Sequence, residues 1–294
     1  MTVNYQSVGS GAGIQQFIKG TVDFGASDVP MGSADITSAG GADAVTQIPA
    51  TLGVISIAYN LSGVSRLQLD GPTVANIYLG TIKKWSDPAI AALNAGVTLP
   101  DTEIQVVHRS DSSGTSYHFT DYLAKVSDSW KSKVGVGKAV SWPAGIGGNG
   151  NQGVAQAVQS TAGAIGYVEL AYVISANMAQ AYLKNKNGKF VQATVAGATA
   201  AAAQNTSVSP TNFSITDEPG DETYPIAGFS WIILHTSYSD ANKGKAIVYL
   251  FNWLVTDGQS FGTSLQYASL PTAVQTLAQT NLKVIKAGGQ AVLS

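Results

Sequence analysis

Residues 106–119 read V-V-H-R-S-D-S-S-G-T-S-Y-H-F. An apolar pair runs into an arginine, then small hydroxyl residues around one glycine, then a helix-like stripe. A helix N-terminus presents unpaired N–H groups and a partial positive charge, so this junction is suited to binding an anion. Gly114 lets the backbone approach closely, and Ser113 and Thr115 supply hydroxyl donors. Arg109 supplies a forked, permanently charged donor that matches a tetrahedral oxyanion. Asp111 is near enough to orient the guanidinium and partly neutralise it. Ordinary helix capping explains the serines and the aspartate equally well, but capping does not need the arginine.

Two further junctions have the same character. Val8 leads to Gly9-Ser10, and Phe24 leads to Ser27-Asp28. Asp28 is the more informative of these residues. A carboxylate beside a bound anion repels it unless the ligand has a proton to donate. Phosphate near neutral pH carries one or two protons; sulfate carries none. An acceptor at Asp28 would therefore select phosphate and penalise sulfate with an unpaired, desolvated acceptor. The alternative is that Asp28 caps a turn before Pro30.

The other polar candidates are weaker. His108, His118 and His235 lack metal-ligand spacing and read as structural or surface residues. The loop G-I-G-G-N-G-N-Q-G at 145–153 lacks the ending of a Walker A loop and reads as a flexible cleft-mouth segment. Trp85, Trp130, Trp142, Trp231 and Trp253 are scattered and read as core or lobe-surface residues.

The elements that must position these residues alternate between strand and helix. Strands are expected over Val3–Val8, Val22–Ala26, Ile48–Tyr59, Ile104–Val107, Ala164–Val168 and Phe229–Leu234. Helices are expected from Ile14-Phe17-Ile18, over Thr73–Leu79 and Pro88–Leu93, and from Gly114 through Phe119, Tyr122, Leu123 and Val126. More are expected over Val154–Val158, around Ile247–Leu254 and near Thr272–Gln279. An alanine-rich stretch within 193–212 reads as a helix followed by a surface loop. This alternation predicts an α/β fold with largely parallel sheets. The two long apolar strands near 48–59 and 229–235 are the candidate crossings between two lobes. The first lobe then comprises 1–57 and 227–294, and the second 58–226.

With 294 residues, 45% of them apolar and 12% charged, the chain can bury a sizeable core. A formal charge of −2 leaves no global basic field for nucleic acid or an anionic membrane. The chain has no cysteine, so disulfides and thiolate metal sites are excluded, and three histidines argue against zinc. No apolar run reaches the length of a membrane span, and no signal segment is visible ahead of T-V-N-Y-Q.

Six stretches carry a resemblance to a known family: V-N-Y-Q-S-V-G-S-G-A-G, T-V-D-F-G-A-S-D, I-Y-L-G-T-I-K-K-W, R-S-D-S-S-G-T-S, G-A-I-G-Y-V-E and Q-Y-A-S-L-P. In this order and over almost the whole chain, the sequence resembles the periplasmic phosphate-binding proteins of high-affinity phosphate ABC transporters. The resemblance implies a two-lobed type II periplasmic binding fold, with mixed sheets, helices on both faces and two hinge strands. It implies that Ser10, Asp28, Arg109, Ser113, Gly114 and Thr115 contact phosphate and that Asp111 pairs with Arg109 behind them.

The implied partners are inorganic phosphate and a membrane permease, with no cofactor, metal or nucleic acid, and the implied protein is an extracytoplasmic monomer. The family pattern places another strand and a Gly-rich loop with a phosphate-contacting Thr-Phe pair ahead of V-N-Y-Q. A chain without them is expected to bind more weakly and to have a less stable first lobe. Two other functions stay open: a phosphate-ester hydrolase using Ser113 with His108 or His118 as base, and a secreted phosphate scavenger or adhesion protein on the same scaffold.

Overall fold

In the computed structural model, which describes residues 2–293, seven strands form the principal sheet. They are β1 (Phe24–Ser27), β2 (Val45–Tyr59), β3 (Gln105–Arg109), β4 (Ile146–Gly148), β5 (Ala164–Glu169), β6 (Ala179–Gln180) and β7 (Ala227–His235). Their order is β1-β7-β2-β5-β3-β4, with β6 added on β2. Two small three-stranded sheets lie apart, one joining 68–69, 182–184 and 190–191, the other 237–238, 286–287 and 290–291.

The fifteen residues of β2, V-T-Q-I-P-A-T-L-G-V-I-S-I-A-Y, are rich in β-branched and apolar side chains and are almost wholly buried. Val45–Val54 pair with β7, whereas Ile55–Tyr59 pair with β5. The change of partner falls where Ile55 N–H donates to Ile226 O at 2.9 Å, one residue before β7 begins. β2 thus changes partner beside the start of β7.

The sheet departs from the expectation of largely parallel pairing. Only β3–β4 and β3–β5 are parallel; β1–β7, β7–β2, β2–β5 and β2–β6 are antiparallel. The reason lies in the two long strands. β2 and β7 run in opposite directions at the middle of the sheet, and every antiparallel pair of the sheet includes one of them. Strand–helix alternation along the chain cannot reveal this.

A bulge interrupts the β7–β2 ladder between Ser230 and Trp231, which face Thr51 and Pro49. Pro49 has no N–H to give, so the ladder must slip there. Ala50, left out of register, offers its carbonyl to Gln259 Nε2 at 2.8 Å instead. The bulge sits beside Ser230, which contributes to the site below.

The expected strand Val3–Val8 does not form. These residues are exposed coil, with Tyr5 64% exposed. A strand is held by cross-strand pairs, and this stretch has none among the described residues. Its alternating pattern, without a ladder to join, fixes no structure.

Three helices reach the candidate site: α1 (Ser10–Ile18), α2 (Gly114–Val126) and α3 (Gly150–Ser160). Ser113 caps α2, its Oγ accepting from Ser116 N–H at 3.2 Å. Phe119, Tyr122 and Leu123 then bury one face of that helix. On its other side His118 lies against the backbone of Gly228 in β7. A Cβ on Gly228 would come within 2.2 Å of His118 Nε2. Gly228→Ala is therefore expected to cost about 2–3 kcal/mol of stability through overpacking and to lower the thermal unfolding midpoint. An unchanged midpoint would mean that α2 can move away from the sheet without penalty.

Candidate functional site

A cavity of about 1200 Å³ is bordered at once by Ser10, Asp28, Arg109, Asp111, Ser113, Gly114 and Thr115. The residues singled out from the sequence thus face one space. They come from three chain segments, and each is held there by a specific contact.

Arg109 ends β3 and is buried, 5% exposed. Its backbone N–H donates to Tyr167 Oη at 2.9 Å, and Tyr167 in turn bonds Ser116 Oγ at 2.6 Å. Tyr167 also stacks on Phe119 of α2, with ring centroids 4.3 Å apart. Strand end and helix start are thereby fixed relative to each other. The guanidinium grips Asp111 side-on, Nε–Oδ1 at 2.7 Å and Nη2–Oδ2 at 2.5 Å, which leaves Nη1 toward Thr115 Oγ1 at 3.3 Å. Burial pushes the Asp111 carboxyl up, but the guanidinium and the Gly150 N–H outweigh it and hold that carboxyl below its usual range.

Ser10 opens α1 and ties the two sides of the cavity together. Its Oγ accepts from Asp28 N–H and from Gly114 N–H, both at 3.1 Å. A hydroxyl has two lone pairs and one hydrogen. With both lone pairs engaged, the Ser10 hydroxyl can act only as a donor, and its hydrogen is directed at Asp28 Oδ2, 3.5 Å away on the cavity wall. The approach is close: a Cβ on Gly114 would lie 2.4 Å from Asp28 Cβ and 2.5 Å from Ser10 Oγ. Gly11 N–H donates to Ser112 O at 2.9 Å across the same contact.

Asp28 follows β1. Its Oδ1 accepts from Ser230 Oγ at 2.7 Å, and its backbone carbonyl meets His118 Nε2 at 3.0 Å. The carbonyl can only accept, so Nε2 carries the hydrogen, and burial keeps this imidazole below its ordinary pKa. Ser113 uses its Oγ as the α2 cap and also borders the cavity. The capping and the anion-facing readings of this residue are compatible.

The sequence did not single out several groups that meet the site. The glycine–asparagine loop forms β4 and then the first turn of α3, four residues earlier than expected, and Gly150 N–H donates to Asp111 Oδ1 at 3.1 Å. Three helix N-termini therefore converge on one cavity. Glu169, at the end of β5, is buried, and its Oε1 lies 3.4 Å from Thr115 Oγ1. Ser230, Tyr267, Tyr172 and Lys243 also line the cavity. Glu169 and Tyr267 lie within quoted motifs, yet nothing in those motifs marks them as cavity residues.

The histidines have the structural roles their spacing suggests. His108 stacks on Trp142 at 4.8 Å and His235 on Phe17 at 4.3 Å. Trp85, Trp130 and Trp231 are buried in the core, and Trp253 lies at the surface. No cluster of three potential metal ligands occurs among the described residues, and no helix of the described residues is long and apolar enough to cross a membrane.

Residues 1–257 match the model of the PBP superfamily domain. The chain is 46% identical over 276 residues to the phosphate-binding protein PstS of Pasteurella multocida, covering 92% of this chain and 79% of that protein. It is 44% identical over 274 residues to PstS of Xylella fastidiosa strain 9a5c, covering 92% and 74%. The chain belongs to the PstS family of phosphate-binding proteins. The PstS-family chain shares its fold with solved structures as well. A high-affinity periplasmic phosphate-binding protein, solved with phosphate bound, superposes with a TM-score of 0.75 at 21% identity, covering 95% of this chain and 91% of that one. The phosphate-binding protein from Stenotrophomonas maltophilia gives 0.70 at 22% identity, covering 93% and 85%. The PstS-family chain therefore has the two-lobed type II periplasmic binding fold.

Proposed function

We propose that the cavity binds inorganic phosphate reversibly and that the protein hands it, outside the cytoplasm and as a monomer, to the permease of an ABC-type phosphate importer. The lobes are residues 1–57 with 227–294, and residues 58–226, hinged where β2 and β7 cross. Ligand between them favours the closed arrangement. The observation that carries this reading is the pairing of one buried guanidinium and the start of α2 with one facing carboxylate, Asp28, in a PstS-family chain.

Each residue then has a role. Arg109 Nη1, the Thr115 N–H group and the hydroxyls of Ser10, Ser113 and Thr115 replace the water around the phosphate oxygens, the Ser10 hydroxyl turning to the ligand from Asp28 Oδ2, while Gly114 gives its N–H to Ser10 Oγ and lets the ligand approach the backbone closely. Asp28, steadied by Ser230, accepts the ligand's proton. Asp111 aims the guanidinium. Hydrolysis finds no support in the geometry. Ser113 Oγ caps its helix, His118 Nε2 faces a backbone carbonyl, and His108 Nδ1 faces Arg109 O at 3.0 Å. Neither imidazole is bonded to the serine a hydrolase would activate, and the PstS relatives are named as binding proteins.

Calorimetric titration with phosphate and with sulfate tests the reading. Phosphate is expected to bind and sulfate to bind far more weakly, because sulfate leaves the Asp28 acceptor desolvated and unpaired at a cost of about 1–3 kcal/mol. Asp28→Asn puts a donor there and is expected to narrow the phosphate-to-sulfate ratio by about tenfold or more. A ratio untouched by the substitution would remove the proton-reading role. Steady turnover of a phosphate ester would remove the receptor reading altogether.

A further inference from the structure

Glu169 is the one buried acid in the cavity that the phosphate-binding scheme leaves without a task. Its position is defined from three sides. Its backbone N–H donates to Asn151 Oδ1 in α3 at 3.2 Å, its residue pairs with Ile55 of β2 at the hinge crossing, and its Oε2 lies over Gly53, where an added Cβ would come within 2.9 Å. Its Oε1 is 3.4 Å from Thr115 Oγ1, which also receives Arg109 Nη1 at 3.3 Å.

The charge balance around it is unfavourable to a carboxylate. Asp28 faces it from the end of β1, Arg109 is already committed to Asp111, and Tyr267 from the C-terminal segment brings no positive charge. Tyr172 and Tyr5 stand near Tyr267 and add none either. An ionised Glu169 would give the site three carboxylates against one guanidinium before an anion enters.

We propose that Glu169 is a positioning residue that works as a neutral acid, donating its hydrogen to Thr115 Oγ1 and so turning the Thr115 hydroxyl into a fixed donor for the bound anion. The hydrogen count supports this. Thr115 Oγ1 has two lone pairs and one hydrogen. Arg109 Nη1 takes one lone pair and the Glu169 acid takes the other, so the hydrogen must point into the cavity. Once Glu169 ionises, its Oε1 captures that hydrogen and the ligand loses a donor while gaining a like charge beside it. Burial first, then the charge of Asp28, pushes the Glu169 carboxyl up to about 8, against the opposing pull of Arg109 and Thr115. The same shift makes folding stability fall as pH rises from the ordinary glutamate range to about 8, with no further loss above that.

This role rests on phosphate being the ligand, and the test separates the two. Phosphate Kd is measured from pH 6.5 to 9.5 for wild type, Glu169→Gln and Glu169→Ala. Comparing proteins at equal pH cancels the titration of phosphate itself. Wild-type affinity is expected to fall about tenfold per pH unit above about 8 relative to Glu169→Gln, whose amide donates at every pH. Glu169→Ala, which removes the donor, is expected to weaken binding about five- to tenfold at pH 6.5.

Parallel wild-type and Gln profiles would overturn the role while leaving phosphate binding intact. No phosphate binding by wild type at any pH would overturn the proposed function and this role with it. Carbon-13 NMR of labelled glutamate gives a reading independent of the variants' folding. Of the four glutamates, one carboxyl resonance is expected to titrate near pH 8 in the unliganded protein and to vanish in Glu169→Gln. Four ordinary glutamate titrations would overturn the proposal outright.

Discussion

Arg109→Met is expected to lower phosphate affinity at least a hundredfold, which is about 3 kcal/mol or more. The guanidinium is the only positively charged side chain within hydrogen-bond reach of Thr115 and the α2 start among the described residues. Its removal leaves the Asp28 and Asp111 carboxylates at the site without the guanidinium, so the incoming anion meets repulsion where it met a donor. Asp111 keeps the Gly150 N–H at 3.1 Å and loses the rest.

A second consequence follows from that pair. Arg109 holds the Asp111 carboxyl below its usual range, so the pair stabilises the fold above the ordinary aspartate pKa and the benefit disappears as pH falls through the depressed value. The methionine variant is expected to lose this acid-range dependence. Arg109→Lys separates charge from shape. It keeps a cation but not the fork that grips Asp111 and still reaches Thr115, and about a tenfold loss is expected. Equal binding by the lysine variant would mean that charge alone matters; undiminished binding by the methionine variant would remove Arg109 from the site.

Gly114→Ala is expected to reduce phosphate affinity by a similar factor while leaving far-UV circular dichroism unchanged. The new methyl would fall 2.4 Å from Asp28 Cβ and 2.6 Å from Asp28 Oδ2. Asp28 is held by Ser230 and by its backbone bond to Ser10, so it does not yield cheaply. Alanine suits the first turn of α2 in conformation, so the helix itself should form. What fails is the approach of α1 and the β1 end to α2, and with it the Gly114 N–H to Ser10 Oγ bond. Small-angle scattering with saturating phosphate is the check: wild type should contract and the alanine variant should stay extended. Full contraction of the variant would show that the contact can be rearranged.

The local half of the site was legible in the sequence. Arg109, Asp111, Ser113, Gly114 and Thr115 lie on one strand–turn–helix passage, so spacing alone places them together. Asp28 and Ser10 were legible as strand-end polar residues, and the shared cavity gives them a common target. Glu169 was not, because its partner Thr115 lies 54 positions away and a glutamate at a strand end resembles any solvated acid. Ser230 meets Asp28 across 202 positions, at a bulge whose cause, Pro49, sits on a different strand. The Gly145–Gly153 loop read as flexible because its ordering comes from Asp111, 39 positions away from Gly150. The strand at Val3–Val8 failed for the opposite reason. Its local pattern was sound, but a strand depends on a neighbour, and none pairs with it among the described residues.

The most direct measurement is a crystal structure of the wild-type protein grown with inorganic phosphate near neutral pH. One phosphate is expected between Arg109 and the first turn of α2, with an Asp28 carboxylate oxygen about 2.5–3.0 Å from a phosphate oxygen. Phosphate seated elsewhere, or seated there with Asp28 turned away from it, would contradict the role given to this cavity.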